Sequence, residues 1–170
     1  MKIFNSLFVG AFLLTSFFSC TEKTEIIESE YTGNEVVYQL VSVTDYDMSG
    51  RIVFREKKDG SMEVETFLDN AQKGGVHPVH LHHGSVSEDG YLVAILTPVN
   101  GDTGSGVTAL NALGNGKSFS YNDLLNYNGS VRVHLDDSYN SNIILSGGNI
   151  GVNNQGDGNI KSCSDFSLKN

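Results

Sequence analysis

The chain has 170 residues, which is long enough for one domain with a sizeable core. Its 20 acidic residues outnumber 11 basic ones, and the formal net charge of −9 argues against nucleic acid and anionic lipid surfaces as partners. Nineteen glycines, two prolines and no tryptophan favour many short strands joined by turns over long helices.

The first twenty residues have the pattern of a targeting segment. Lys2 supplies a positive start, residues 3–18 are largely apolar, and Ser19 precedes Cys20. The segment resembles a bacterial lipoprotein signal, although Phe17 and Phe18 stand where leucine and a small residue are usual. The apolar run is shorter than the roughly 20 residues that a spanning helix needs. We expect Cys20 to be the lipidated first residue of the mature chain; an ordinary signal peptide or a short membrane anchor are the alternatives.

The lipoprotein-like pattern predicts that the protein lies in the bacterial cell envelope. We expect a lipid anchor in the outer membrane, with the domain facing the periplasm or the cell surface. Polar residues 21–34 read as a flexible tether, residues 35–152 as the folded domain and residues 153–170 as a disordered tail. Cys163 in the tail has no intrachain partner once Cys20 is lipidated, so we expect no disulfide.

Alternating apolar and polar residues predict about eight short strands. An Asp59-Gly60 turn between two such runs predicts an antiparallel hairpin. Ser120, with Asp123 three residues later, resembles a capping box at the start of one helical turn over 120–127. The spacing leaves an antiparallel sandwich or a flattened barrel open. The expected strands are 36–44, 50–57, 62–68, the histidine-rich run after residue 75, 91–98, 107–110, 130–135 and 142–145.

Four of the five histidines stand in one run, GGVHPVHLHHG at residues 74–84. Successive side chains of a strand point to opposite faces, so His80 and His82 share one face. Val79 and Leu81 are the apolar partners of this alternation and are expected in the core. The two histidines are therefore predicted on the outer face of their strand.

The fifth histidine stands in a second run, SVRVHLDD. The same alternation places Val131, Val133 and Leu135 in the core and leaves Arg132 and His134 outside. If this strand neighbours the histidine-rich one, three imidazoles can converge on one point, and imidazole is a common ligand of copper, zinc and iron. Separately, each histidine would be a solvated surface residue.

At these residues the chain resembles a known family. The runs HPVHLHHG, VRVHLDD and ILSGGNIG are similar to those of the CHRD domain, a relative of the copper/zinc superoxide dismutase sandwich, over roughly residues 34–152. The resemblance implies an all-β, antiparallel Greek-key β-sandwich. It also implies that His80 and His82 match the HxH copper ligands of the dismutases, and that His134 matches their last copper histidine.

The chain departs from the dismutase pattern in three respects. No histidine stands between His83 and His134, so the bridging histidine and the zinc loop are missing. No arginine follows His134, where dismutases place the one that guides superoxide; Arg132 lies two residues before it. The internal disulfide has no counterpart. These departures argue against turnover.

A fourth metal ligand could come only from His77 or His83. Regular alternation turns both away from His80 and His82, although Pro78 after His77 could break the regularity. We keep His77 as a further candidate ligand. Asp136 and Asp137 could support a ligand imidazole, but a pair of aspartates more often opens a turn.

We therefore predict a membrane-anchored, CHRD-type binding module. Its metal ion, copper or zinc, would be held by His80, His82 and His134 without turnover. A zinc-less copper-dependent superoxide dismutase and a metal-free sandwich for protein contacts are the alternatives. No feature of the sequence indicates a specific protein partner.

Overall fold

A computed structural model describes residues 28–137 and 142–154 of the chain. Eight strands and one short helix make up this part. In chain order they are β1 (Tyr31–Ser42), β2 (Gly50–Lys57), β3 (Met62–Leu68), β4 (Val76–His83), β5 (Leu92–Asn100), β6 (Ser105–Leu110), α1 (Tyr121–Leu125), β7 (Asn128–His134) and β8 (Ile144–Gly151).

The eight strands form a single closed antiparallel barrel, in the order β1-β2-β3-β6-β5-β4-β7-β8. The barrel closes because β1 pairs with β8 as well as with β2, through Val41 opposite Gly147 and Ser42 opposite Ser146. The predicted Greek-key sandwich of two packed sheets was therefore wrong, while the all-β, antiparallel character is as expected. Alternation along a strand is the same in a sandwich and in a barrel, so it could not reveal the closure.

The strand order brings the two histidine-bearing runs together. After β6 the chain passes through α1 and returns to place β7 beside β4, between β4 and β8. This neighbour relation is the condition on which the three-histidine prediction depends.

Apolar side chains that alternate along each strand fill the barrel interior. β3 shows the pattern most simply: Met62, Val64 and Leu68 are buried, whereas Glu63 and Glu65 between them are only partly covered. Burial of such an apolar side chain contributes about 1.5–3 kcal/mol. An eight-stranded barrel is just wide enough for side chains to fill it, so the interior is a packed core.

The predicted helical turn is confirmed as α1. Ser120 is its N-cap: the Ser120 Oγ accepts a hydrogen bond from the Asp123 backbone N–H at 3.2 Å, and the Asp123 carboxylate accepts one from the Ser120 N–H at 2.9 Å. Leu124 is fully buried. The capping box thus fixes a short helix that packs one leucine into the core.

The first strand begins earlier in the chain than the expected start of the domain at residue 35. β1 begins at Tyr31, inside the segment expected as a tether, and Glu30 and Glu28 lie within ion-pair distance of Lys57 and Lys58. The predicted signal segment with Cys20, and the tail residues from 155 onward with Cys163, lie outside the described residues.

Over residues 28–137 and 142–154, no helix has the length and apolar character needed to cross a membrane.

Candidate metal centre

The antiparallel register of β4 and β7 sets the positions of the site residues. Val79 lies opposite Val133, His80 opposite Arg132, and His82 opposite Ser130. Val79 and Val133 are fully buried in the core, so the residues that alternate with them lie on the outer side of the barrel. The predicted alternation of Val79, Leu81, Val131 and Val133 into the core is confirmed, and Leu135 packs against the core while partly buried.

His80, His82 and His134 converge on this outer face. One ring nitrogen from each lies within 4.8 Å of the others, and no further group of three or more metal-ligating side chains occurs in the described part of the chain. The ring centroids of His80 and His134 are 4.6 Å apart, and those of His80 and His82 are 6.1 Å apart. Nitrogen ligands of a tetrahedral zinc ion are about 3.3 Å from each other. Side-chain rotations that move the ring nitrogens by on the order of 1 Å would bring the three histidines to that separation.

His82 is oriented by the backbone. Its Nδ1 lies 2.8 Å from the carbonyl oxygen of Gly90. A carbonyl oxygen only accepts hydrogen bonds, so Nδ1 carries the proton and Nε2 carries the lone pair. That Nε2 is buried and has no hydrogen-bond partner. A buried acceptor without a partner, on a ring fixed by its other nitrogen, is the arrangement typical of a metal-ligating histidine.

The electrostatics of the site favour neutral imidazoles. Burial lowers the pKa of His80. Burial is also the largest influence on the pKa of His82 and lowers it; the hydrogen bond to Gly90 opposes this effect, and the positive charge of Arg132 adds to it. These effects favour the neutral form of both rings, and the neutral ring is the form that binds a metal ion.

The outer face at this point is covered. Arg132 and His134 are each only 8% exposed. The connection between β4 and β5, residues 84–91, contacts this face: Arg132 Nη2 donates a hydrogen bond to the carbonyl oxygen of Glu88, and His82 Nδ1 meets the carbonyl oxygen of Gly90. The sequence placed Arg132 and His134 correctly on the outer side of the barrel but did not indicate that both are buried there, or that a loop contacts Arg132.

The other two histidines lie apart from the three. His77 is fully buried, and its Nδ1 lies 2.9 Å from the carbonyl oxygen of Leu135. His83 stacks on Tyr91, with ring centroids 5.1 Å apart, and meets Tyr127 edge-on at 5.8 Å. Neither belongs to the group of converging nitrogens. The fourth-ligand candidate His77 thus occupies an interior position of its own.

The two aspartates after His134 line a different feature. Asp136 and Asp137 border a cleft of about 530 Å³, together with Tyr46 and Lys73. None of the three converging histidines lines that cleft. The favoured interpretation of this pair as the start of a turn is consistent with their position after the end of β7.

Sequence reasoning missed the role of the loop backbone in the site. The carbonyl oxygens of Glu88 and Gly90 have no side-chain signature. The one available signal is Gly147 in the last strand, where a Cβ would lie 2.7 Å from Val86 Cγ2 of the loop. A glycine inside a strand marks a close approach of another segment.

A scan against protein-family models finds no match to this chain, and a search of the curated proteins finds no match either.

Proposed function

We propose that this chain is a metal-binding module that holds one copper or zinc ion through His80, His82 and His134 without turnover. The observation that carries the proposal is the convergence of three ring nitrogens within 4.8 Å of one another on the outer face of β4 and β7. The buried, unpartnered Nε2 of His82 gives it further support.

The ligand chemistry limits the choice of metal. The group contains three imidazoles and no thiolate or carboxylate, a donor set that suits copper and zinc and is poor for calcium or magnesium. Bound copper would supply a one-electron redox centre, and bound zinc a Lewis acid. Copper(II) is expected to bind more tightly than zinc at the same nitrogen donors.

The surroundings favour retention of the ion over turnover. Residues 84–91 cover one side of the site, and Arg132, the cation beside the histidines, donates to the backbone of that loop. The alternative of a copper-dependent superoxide dismutase rests on the ability of a three-histidine set to hold copper in two oxidation states. A metal-free contact domain is the remaining alternative.

Anchoring and family are part of the same proposal. We infer a lipid anchor at Cys20 and an envelope location from the pattern of residues 1–20. Membership in the CHRD family rests on the three motifs around His80, His134 and Gly147.

The test is titration of the full chain with Cu²⁺ and with Zn²⁺. We expect one ion per chain. In His80→Ala and His134→Ala the Kd should rise more than ~100-fold, beyond the range typical of a lost outer-shell partner. His83→Ala is the matched control, because His83 lies on the same strand and outside the group, and it should bind as the wild type does.

A superoxide decay assay on the copper-loaded chain separates the candidate functions. No acceleration above free copper is expected for a binding module. Fast dismutation lost in His80→Ala would replace the proposal with the enzyme. Absence of binding, or binding that survives both alanine substitutions, would overturn the metal site and leave the contact domain.

A further inference from the structure

Residues 84–91, here called the strap, connect β4 to β5 and fold back over the outer face that carries the histidines. Three contacts tie the strap to that face. The His82 ring meets the Gly90 carbonyl oxygen at 2.8 Å, Arg132 donates to the Glu88 carbonyl oxygen, and the Val86 N–H donates to Asn149 Oδ1 at 2.7 Å. The strap therefore reaches β4, β7 and β8 at once.

The strap is itself a folded turn. Gly84 has a φ of +83°, a conformation that favours glycine, and its N–H donates to the Asn128 carbonyl oxygen at 2.9 Å. The Ser85 N–H donates to the Glu88 carboxylate at 2.6 Å, and the Glu88 N–H donates to the Ser85 carbonyl oxygen at 3.0 Å. The two bonds between Ser85 and Glu88 close a turn within the strap, and the bond from Gly84 joins the start of the strap to β7.

Val86 seats the strap on the barrel. It is 5% exposed and rests on Gly147 of β8, where an added Cβ would lie 2.7 Å from Val86 Cγ2. An alanine at 147 would therefore push chiefly against the tip of Val86, and loss of that methyl group would relieve this contact. Its Cβ would also lie 3.3 Å from the Val131 carbonyl oxygen, a milder contact that stays in every variant with alanine at 147.

Arg132 of β7 binds the strap from the barrel side. Its guanidinium is buried, and no carboxylate of the described residues lies within ion-pair distance of it. Its Nη2 donates to a strap carbonyl, a charge-assisted bond of the stronger kind. Arg132 is thus linked through the strap to the ring of His82, the histidine that the strap contacts.

We propose that seating of the strap and metal binding at His80, His82 and His134 stabilise each other. The inference rests on the proposed function. A metal ion bound at Nε2 of His82 would draw electron density from the ring and would strengthen the Nδ1–H donor that meets Gly90. In return, the Gly90 carbonyl fixes the ring and raises the basicity of Nε2. By linkage, the two effects on free energy are equal.

The first test weakens the packing of the strap on the barrel and leaves every histidine unchanged. Gly147→Ala and Val86→Ala should each raise the Kd for Zn²⁺ about 10-fold, as loss of an outer-shell support does. The double variant should bind within about threefold of the wild type, because the alanine at 147 fills the space that Val86 vacates. Val107→Ala, an exposed valine on β6, is the control and should leave the Kd unchanged.

The second test measures the stability of the strap directly, through amide hydrogen exchange on the full chain. Zn²⁺ should slow exchange at the amides of Val86 and Glu88 in the wild type, and have no such effect in His80→Ala. The amide of Ser61, in the β2–β3 turn, is the control and should not respond.

The outcomes separate the two proposals. Histidine-dependent zinc binding, with unchanged strap exchange and with Gly147→Ala within twofold of the wild-type Kd, would overturn the coupling and leave the metal site intact. No zinc binding by the wild type would overturn both. Should Gly147→Ala fail to fold, Val86→Ala and the exchange measurement decide the question.

Discussion

His82 and Gly90 are joined by a 2.8 Å contact between the imidazole Nδ1 and a backbone carbonyl oxygen. The contact fixes which ring nitrogen carries the proton and leaves the lone pair on Nε2, the atom that the proposed metal site would use. Gly90, eight positions along the chain, thus determines the ring orientation and the tautomer of His82. The predictions below follow from this arrangement and from the barrel that supports it.

Acid should destabilise the metal-free chain through the site histidines. Burial lowers the folded-state pKa of His80 and His82 below the ordinary value of 6.5. Between the lowered pKa and 6.5 the unfolded chain binds protons that the folded chain does not, so stability is fully present above 6.5 and falls as the pH drops. Urea unfolding at pH 7.5 and 5.5 should show this loss, and a His80→Ala, His82→Ala double variant should lose less. An equal loss in the double variant would assign the acid sensitivity to other groups.

Leu81 should be a strong determinant of stability. It lies between His80 and His82 on the inner side of β4 and is fully buried. Leu81→Ala removes core contacts and should cost ~2–5 kcal/mol in the free energy of unfolding. Ile95→Ala on the neighbouring strand is the control: Ile95 is 68% exposed, so its loss should change stability by less than ~0.5 kcal/mol. Similar losses in both variants would contradict the alternation on which the site depends.

The capping box of α1 should contribute measurably. Ser120→Ala removes the hydroxyl that accepts from the Asp123 N–H and should cost ~0.5–2 kcal/mol in chemical denaturation. Ser118→Ala, two residues earlier and exposed, should be neutral. If Ser120→Ala were also neutral, the hydroxyl would contribute nothing, and the helix start would be held by the Ser120 N–H bond to the Asp123 carboxylate and by the burial of Leu124.

Substitution of Ser130 tests whether its hydroxyl belongs to the proposed metal site. It lies opposite His82, and its buried hydroxyl has no hydrogen-bond partner. A buried hydroxyl without a partner carries a desolvation cost, so Ser130→Ala should leave the free energy of unfolding unchanged or raise it by up to ~1 kcal/mol. Zinc affinity should stay the same. A Kd for zinc that rose 10-fold would instead make the hydroxyl part of the metal site.

The local features of the site could be predicted from the sequence. The period of two placed Val79 and Leu81 inside and His80 and His82 outside, because side-chain direction in a strand is a local property. The same reasoning brought Arg132 and His134 to the outer side of β7. The pairing of β4 with β7 was assumed, and the structure provides it.

Non-local features could not be predicted in the same way. Closure of the barrel rests on the pairing of Val41 with Gly147, two residues far apart in the chain whose own patterns also fit an open sandwich. The strap meets His82 and Arg132 through backbone carbonyl oxygens. Because every residue carries such an oxygen, its use at Glu88 and Gly90 leaves no trace in the sequence.

X-ray absorption of the zinc-loaded full chain tests the central claim most directly, because it reports the ligand atoms themselves. We expect a shell of three imidazole nitrogens at about 2.0–2.1 Å, reduced to two in His134→Ala and unchanged in His83→Ala. A sulfur shell at about 2.3 Å, which would place Cys20 or Cys163 on the metal, or a shell of oxygens alone, would contradict a centre built from His80, His82 and His134.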